Sequence, residues 1–169
     1  LGLLAGESAR AAGCRGFGVD LDPGRVELAR SIGLAAAGRE MADEAGSAFS
    51  IGRGFDAVLI CADTASDDPV ALAGALARDR GRVIAVGAIG MSLPRKVYYE
   101  KELSFLVSRS YGPGRYDPSY EEGGLDYPYG FVRWTEGRNL QAVVDMLADG
   151  RLDVRRLITQ RFEISDADQ

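Results

Sequence analysis

At 169 residues, with 46% hydrophobic and 27% charged side chains, the chain has the size and composition of one globular domain. Its net charge of −5 argues against a nucleic-acid or anionic-membrane partner, because both require a basic face. The sequence contains no histidine, which excludes a histidine-based triad and a histidine-ligated zinc site within these residues. No metal site is expected in this chain.

Cysteine usage and hydropathy indicate the compartment. Cys14 and Cys61 lie in or beside apolar, strand-like runs, which predicts reduced core residues of a cytoplasmic protein and not a disulfide. No apolar run approaches the length of a membrane span, and no signal peptide is visible. The chain begins at Leu1, and Ser165 followed by Asp168 resembles a helix start, so we expect both ends to continue in a longer protein.

The first two thirds of the sequence alternate between helix and strand patterns. An alanine-rich helix at residues 3–12 is followed by a strand at 14–19, and Asp22-Pro23 is typical of a capped helix start. Weaker patterns follow for a strand at 34–37 and a helix at 41–49. Residues 57–61 and 83–86 are apolar runs, predicted to be strands buried on both faces, with a helix at 70–78 between them. This alternation predicts a Rossmann-like, doubly wound parallel α/β sheet.

The last third has a different pattern. Residues 103–108 predict one more strand, and residues 111–134 form a Gly-, Pro- and Tyr-rich insertion without periodicity. Thr135 then caps an amphipathic helix that is predicted to turn Leu140, Val143, Val144 and Leu147 inward.

The strand that ends at Asp20 carries the strongest functional signal. In a nucleotide-binding α/β unit, a carboxylate at this point accepts both hydroxyls of an adenosine ribose. Because it would repel a 2′-phosphate, it favours NAD over NADP. Arg25, one helical turn on, could reach the ribose 3′-hydroxyl or simply be solvated. A ribose-binding acid is also compatible with S-adenosylmethionine.

Two further groups of candidate residues lie at helix and strand ends. Gly2 could be the last glycine of a phosphate-binding loop, or it could stand at an ordinary helix start. In open α/β sheets, ligands bind beyond the carboxyl ends of the strands. Cys61 and Ala62 are therefore predicted on the adenine side of a cofactor, and Val86, Gly87 and Ala88 on the nicotinamide side, although plain strand-to-loop turns explain these positions equally well. The candidate cofactor residues up to this point are Gly2, Asp20, Arg25, Cys61, Ala62, Val86, Gly87 and Ala88.

An arginine- and tyrosine-rich run follows the predicted strand at 103–108. Arg109 and Arg115 could bind an anionic substrate group, since guanidinium groups match carboxylates and phosphates in geometry. A rigid loop buttressed by aromatic rings at a subunit interface is the alternative, and we prefer it slightly.

With these residues in view, the chain resembles the cofactor domain of the medium-chain dehydrogenase/reductase superfamily, the zinc alcohol dehydrogenase-like enzymes. The matching segments are residues 1–5, 18–23, 55–58, 81–87 and 102–112. The run at 108–118, the most specific, resembles a branch of bacterial two-domain oxidoreductases. Relative to the family, the first strand and the first two glycines of the phosphate loop precede residue 1.

The resemblance implies an NAD(P)-dependent oxidoreductase that transfers hydride between a nicotinamide and an alcohol or carbonyl substrate. It adds Ser110 to the nicotinamide side, places any zinc and the catalytic groups in a separate catalytic domain, and implies a homodimer formed through the strand at 103–108. No catalytic residue can be named, and we expect the fragment alone to be inactive. The alternatives are a non-catalytic dimerising module and an S-adenosylmethionine-dependent methyltransferase.

Overall fold

The computed structural model describes residues 1–166 as alternating helices and short parallel strands. The helices are α1 Gly2–Ala11, α2 Pro23–Ser31, α3 Ala42–Ser50, α4 Asp68–Leu76, α5 Arg95–Glu100, α6 Pro118–Glu121 and α7 Glu136–Ala148. The strands are β1 Phe17–Asp20, β2 Ala35–Gly38, β3 Phe55–Ile60, β4 Ala77–Ala85 and β5 Ser104–Val107. Within these residues no helix is both long and apolar enough to cross a bilayer. The helix start expected at Ser165 depends on Asp168, which lies outside the described residues.

The strands form two parallel sheets, one with the order β1-β2 and one with the order β3-β4-β5. A common doubly wound sheet has the order 3-2-1-4-5-6, with its first strand in the middle. The observed order corresponds to that sheet without the middle strand, because no strand of residues 1–166 lies between β1 and β3. The fold is thus the predicted Rossmann-like α/β type, with the sheet divided between these two strands.

Three phenylalanines join the two sheets at the amino ends of their strands. The ring centroid of Phe17 lies 5.8 Å from that of Phe55 and 5.5 Å from that of Phe49 in α3. Phe49 and Phe55 are 6.1 Å apart. Since Phe17 and Phe55 are the first residues of β1 and β3, the two strands start side by side. Helix α1 begins beside Cys61, directly after β3, and ends in the turn that leads to the start of β1, so the carboxyl ends of β1 and β3 face the same edge.

The region around β1 is positioned by helices α1 and α2. Asp22 accepts a hydrogen bond from the Gly24 backbone nitrogen at 2.7 Å, which caps α2 as predicted. Val26 and Ala29 are buried on its inner face. Helix α1 packs closely from the other side, because a Cβ added at Gly6 would lie 2.7 Å from a methyl group of Leu34.

A second cluster of buried residues lies beneath β3 and β4. Ile60, Val70, Val83 and Tyr98 form its centre, and the Tyr98 hydroxyl donates to the Val70 carbonyl at 2.9 Å. Lys101 closes the carboxyl end of α4, since its Nζ donates to the carbonyls of three residues there. These are Gly74, Ala75 and Ala77, at 3.0, 2.7 and 2.8 Å.

Two burial predictions are wrong. Cys14 is exposed, because β1 begins only at Phe17 and residue 14 belongs to the turn after α1. β3 is not buried on both faces: Leu59 is 47% exposed and Ala57 is exposed as well. The physical reason is that β3 pairs with β4 alone, so beyond Phe55 its other edge has no paired strand to help cover Ala57 and Leu59.

Helix α7 forms where the sequence predicts it, but its apolar face is exposed. Thr135 caps its start, accepting from the Arg138 nitrogen at 3.5 Å. The side chains expected to face inward are between 40% and 56% exposed, and they are Leu140, Val143, Val144 and Leu147. The helical pattern is correct, but within residues 1–166 this face is left about half exposed.

Candidate cofactor-binding site

Asp20 and Asp22 have separate roles at the carboxyl end of β1. Asp22 is the cap of α2, whereas Asp20 is the last residue of the strand. The Asp20 Oδ1 accepts from the Asp22 backbone nitrogen at 3.0 Å and lies 3.8 Å from Arg25 Nη1. No hydrogen bond within residues 1–166 uses the Asp20 Oδ2. The carboxylate is therefore held in place from one side and leaves an oxygen free to accept hydroxyl groups.

Arg25 contacts both acids and is largely exposed. Its Nε lies 3.7 Å from the Asp22 Oδ2, in addition to the contact with Asp20. Exposed ion pairs of this length contribute little to stability, so the guanidinium can exchange its partner at small cost. Both predictions for Arg25, a solvated side chain and a contact to the ribose, are compatible with this geometry.

The amino end of α1 lies beside the carboxyl end of β3. A Cβ added at Gly2 would be 3.8 Å from the Cβ of Cys61. Leu1 provides no side-chain cap, so the first N–H groups of α1 have no side-chain acceptor. A helix end of this kind carries a partial positive charge and unpaired donors that suit a phosphate. The fold thus brings Gly2 and Cys61, two predicted site residues, together.

The ends of β3 and β4 meet closely. The Gly87 nitrogen donates to the Ile60 carbonyl at 2.9 Å, and the Thr64 nitrogen donates to the Ala88 carbonyl at 2.8 Å. A Cβ at Gly87 would overlap the Ala62 carbonyl oxygen, so the contact between the two strand ends itself requires glycine. The glycine predicted on the nicotinamide side is therefore required by the packing of the strand ends.

Ser110 belongs to the loop that follows β5 at the same edge. The Ser108 nitrogen donates to the Ala85 carbonyl at 2.8 Å, which ties the start of this loop to the end of β4. The Ser110 hydroxyl lies 3.1 Å from that of Tyr116. The predicted residues therefore form three groups along one edge: Asp20 with Arg25, the cluster around Gly2 and Gly87, and Ser110 with its loop.

The described side chains offer no metal centre. Within residues 1–166, no three His, Cys, Asp or Glu side chains converge as metal ligands. Burial raises the pKa of the Cys61 thiol, which keeps it protonated at neutral pH and makes it a poor nucleophile and a poor ligand. Cys61 can contribute shape and apolar surface to the site, but not thiolate chemistry.

A cavity of about 500 Å³ lies at the opposite edge of the second sheet. Its lining includes Gly54, Phe55, Ala77 and Arg78, at the amino ends of β3 and β4. Open α/β sheets bind their ligands at the carboxyl ends, because loops and helix amino ends converge there. We therefore place the candidate site at the carboxyl edge and not in this cavity.

Tyr116 is a residue that sequence reasoning missed as a partner of Ser110. The two positions are six residues apart in an aperiodic run, so no helix or strand period links them. Both adopt positive φ angles, 47° at Ser110 and 65° at Tyr116, and this folds the loop back on itself. The only available signal was the glycine-rich composition between them.

Comparison with known proteins gives the family. A family model described as zinc-binding dehydrogenase matches residues 1–122, well over half of the chain. A search of curated proteins found no match.

Solved structures share the fold. The alcohol dehydrogenase TADH from Thermus sp. ATN1 is 24% identical with a TM-score of 0.66, over 93% of this chain and 40% of that enzyme. The quinone oxidoreductase of Pseudomonas syringae pv. Tomato DC3000 is 18% identical with a TM-score of 0.60, over 91% of this chain and 44% of its own. The nucleotide-binding subdomain of the enoylreductase domain of PpsC from Mycobacterium tuberculosis is 20% identical with a TM-score of 0.57. The match covers 90% of this chain and 79% of that subdomain.

The chain thus matches most of an isolated nucleotide-binding subdomain and less than half of whole enzymes. Its strand order, its helix starts at Gly2 and Pro23 and the acid at the end of β1 are the features of such a subdomain. Together with the match over residues 1–122, they show that the chain belongs to the zinc-binding dehydrogenase family of the medium-chain dehydrogenase/reductase superfamily, as its nucleotide-binding part.

Proposed function

We propose that this chain binds NAD, in preference to NADP, as part of an alcohol dehydrogenase-like oxidoreductase. The observation that carries the preference is the Asp20 carboxylate, fixed through the Asp22 nitrogen and free at Oδ2. A carboxylate accepts the two ribose hydroxyls of NAD and repels the 2′-phosphate of NADP. A bound nicotinamide would supply hydride transfer with an alcohol or carbonyl carbon.

The other predicted residues fit the remaining parts of a dinucleotide along the same edge. The uncapped amino end of α1 at Gly2 suits the pyrophosphate. Cys61 and Ala62 would face the adenine side. The nicotinamide side is assigned to Val86, Gly87, Ala88 and Ser110. The close contact between Gly87 and the Ala62 carbonyl holds the backbone of these two strand ends in a fixed position.

The activity of the parent protein is part of the proposal. The chain spans 40% of the Thermus alcohol dehydrogenase, and no residue here is proposed as a catalytic acid or base. We assign those groups, and any zinc, to a separate catalytic domain of the parent enzyme. The substrate is a small alcohol or carbonyl compound, and the compartment is the cytoplasm, where Cys14 and Cys61 remain reduced.

Cofactor titration of Asp20→Ala tests the proposal. Hydrogen bonds to a charged acceptor contribute about 1.5–3 kcal/mol, so the variant should bind NADH at least about tenfold more weakly, while its weaker NADPH binding changes less. Fluorescence titration of the 169-residue chain and of the parent protein measures both dissociation constants. Asp56→Ala is the matched control, because that exposed carboxylate lies at the amino end of β3. Equal NADH and NADPH affinity, or protection from thermal unfolding by S-adenosylmethionine instead, would contradict the assignment.

We also propose a homodimer formed through β5. This strand hydrogen-bonds to β4 along one edge, and Leu106 and Val107 are 50% and 65% exposed. A free edge with apolar side chains is suited to pairing with a second copy across a two-fold axis. Sedimentation of Leu106→Lys should show monomers where the unmodified chain gives dimers, whereas Leu125→Lys, at an even more exposed leucine elsewhere, should change nothing. A monomeric unmodified chain would rule out this interface.

A further inference from the structure

The loop after β5 brings two hydroxyl groups together at the carboxyl edge. The Oγ of Ser110 and the Oη of Tyr116 are 3.1 Å apart, and both side chains are exposed. Each of the two residues holds a left-handed backbone conformation that a non-glycine residue adopts at a cost. Two strained residues whose side chains meet at the ligand-binding edge of the sheet are a feature of binding sites more than of plain loops.

The two neighbouring arginines are not equivalent. The guanidinium carbon of Arg115 lies 4.4 Å from the centroid of the Tyr116 ring, and this arginine is paired with Glu121. The guanidinium carbon of Arg109 lies 4.6 Å from the centroid of the same ring. No carboxylate of residues 1–166 lies within ion-pair distance of the Arg109 guanidinium. Arg115 therefore holds the loop, with its charge compensated, whereas Arg109 offers an uncompensated charge and a free fork of N–H donors.

We propose that Arg109, Ser110 and Tyr116 form an oxyanion-binding site that takes a carboxylate or phosphate group of the substrate. The guanidinium fork provides paired donors, and the hydroxyl that accepts in the Ser110–Tyr116 hydrogen bond keeps its own proton as a further donor beside it. The Ser110 hydrogen bond and the adjacent guanidinium groups lower the pKa of Tyr116, which agrees with a surrounding that stabilises negative charge. The role as a substrate site rests on the oxidoreductase function proposed above.

The position of the loop after β5 agrees with a role in binding the substrate. The Ser108 nitrogen is bound to the Ala85 carbonyl, so the loop leaves the sheet beside the end of β4, where Gly87 and Ala88 follow. A substrate anchored by its anionic group at Arg109 would extend along the edge to which the nicotinamide side is assigned. Anchoring a part of the substrate that does not react is a common way to orient the part that does.

Nuclear magnetic resonance titration of the 169-residue chain tests the site with succinate and with inorganic phosphate at constant ionic strength. We expect saturable shifts at Arg109, Ser110 and Tyr116, and an affinity at least about tenfold lower in Arg109→Gln and in Tyr116→Phe. Arg95→Gln is the matched control, because Arg95 lies 5.1 Å over the exposed ring of Tyr99 in the same kind of stack. It should leave the affinity unchanged.

Three outcomes of this titration would contradict the anion site. Shifts that do not saturate, that persist in Arg109→Gln or that weaken equally in Arg95→Gln would mean that no specific site exists. Tighter binding of succinate assigns a carboxylate substrate, and tighter binding of phosphate assigns a phosphate ester. NADH titration of the same samples separates the two proposals. NADH binding without anion binding overturns this site alone, whereas anion binding without NADH binding overturns the cofactor assignment and, with it, the substrate role of the site, but not the anion site itself.

Discussion

The two parts of the molecule are held together by different forces. In residues 1–107, buried aliphatic side chains form two clusters, around Ile60 and Val83 and around Ala29 and Leu34. In residues 108–166, Leu152 is the one hydrophobic side chain that is fully buried among those described. The second part is organised by hydrogen bonds and by arginines stacked on aromatic rings. Apolar burial is non-directional, whereas those contacts depend on the position of single side chains.

The arginines of the second part each hold several groups. Arg138 donates to the carbonyls of Arg133, Val132 and Tyr127, at 2.9, 2.8 and 3.3 Å, and to the Asp126 carboxylate at 2.5 Å. Tyr120 donates to the buried Thr135 hydroxyl at 3.1 Å, and Tyr127 donates to Asp117. Removing one such residue should loosen this part without unfolding the first.

The largest expected effect comes from the core of the first part. Ile60→Ala should lower the free energy of unfolding by about 2–5 kcal/mol, since it removes buried methyl groups and leaves a cavity. Chemical denaturation measures the loss. Ile164→Ala, at an isoleucine that is almost fully exposed in the second part, should change stability by less than about 0.5 kcal/mol. Equal losses in the two variants would contradict the contrast between the parts.

A smaller and more local effect is expected at Arg138. Arg138→Gln removes charge-assisted bonds and should cost the second part about 1–3 kcal/mol, because three carbonyls and a carboxylate lose their donor. Hydrogen exchange should accelerate around residues 126–138, and the emission of Trp134 should shift. Arg161→Gln, at an exposed arginine without a described partner, is the control. Equal acceleration within β3 and β4 would show that the two parts unfold as one unit.

The same contrast explains how far the sequence alone could predict the structure. Helix and strand periods, with caps such as Asp22 and Thr135, placed most longer elements of the first part and α7 to within a few residues. The exceptions are α5, which was not predicted, and β4, which begins at Ala77 instead of residue 83 because residues 78–82 are arginine, aspartate or glycine and carry no apolar period. Those signals are local, and they do not report which element lies opposite. The exposed faces of β3 and α7 were mispredicted for that reason, since burial depends on a neighbour that the period does not reveal.

The residues of the candidate site also fall into two groups, those that the sequence predicts and those that only the structure reveals. Asp20 and Gly87 follow apolar strands, and the rule that ligands bind at carboxyl ends was enough to select them. The Ser110–Tyr116 pair and the difference between Arg109 and Arg115 depend on side-chain positions within an aperiodic loop. Only three-dimensional contacts show that Glu121 compensates one arginine and leaves the other free.

The smallest expected effect is a difference in pKa between two tyrosines, Tyr98 in the first part and Tyr116 in the second. Burial raises the pKa of Tyr98 to about 12, whereas the Ser110 hydrogen bond and the Arg115 guanidinium lower that of Tyr116 below its ordinary value. In a carbon-13 titration of the tyrosine rings, Tyr116 should ionise first and Tyr98 last, and Arg115→Gln should move the Tyr116 midpoint upward and leave that of Tyr98 unchanged.

The folded state favours the neutral form of Tyr98, so its contribution to stability is complete below the unfolded pKa near 10 and disappears as the pH rises towards about 12. Tyr98→Phe should remove this alkaline loss, and a loss that persists in that variant would assign it to another group.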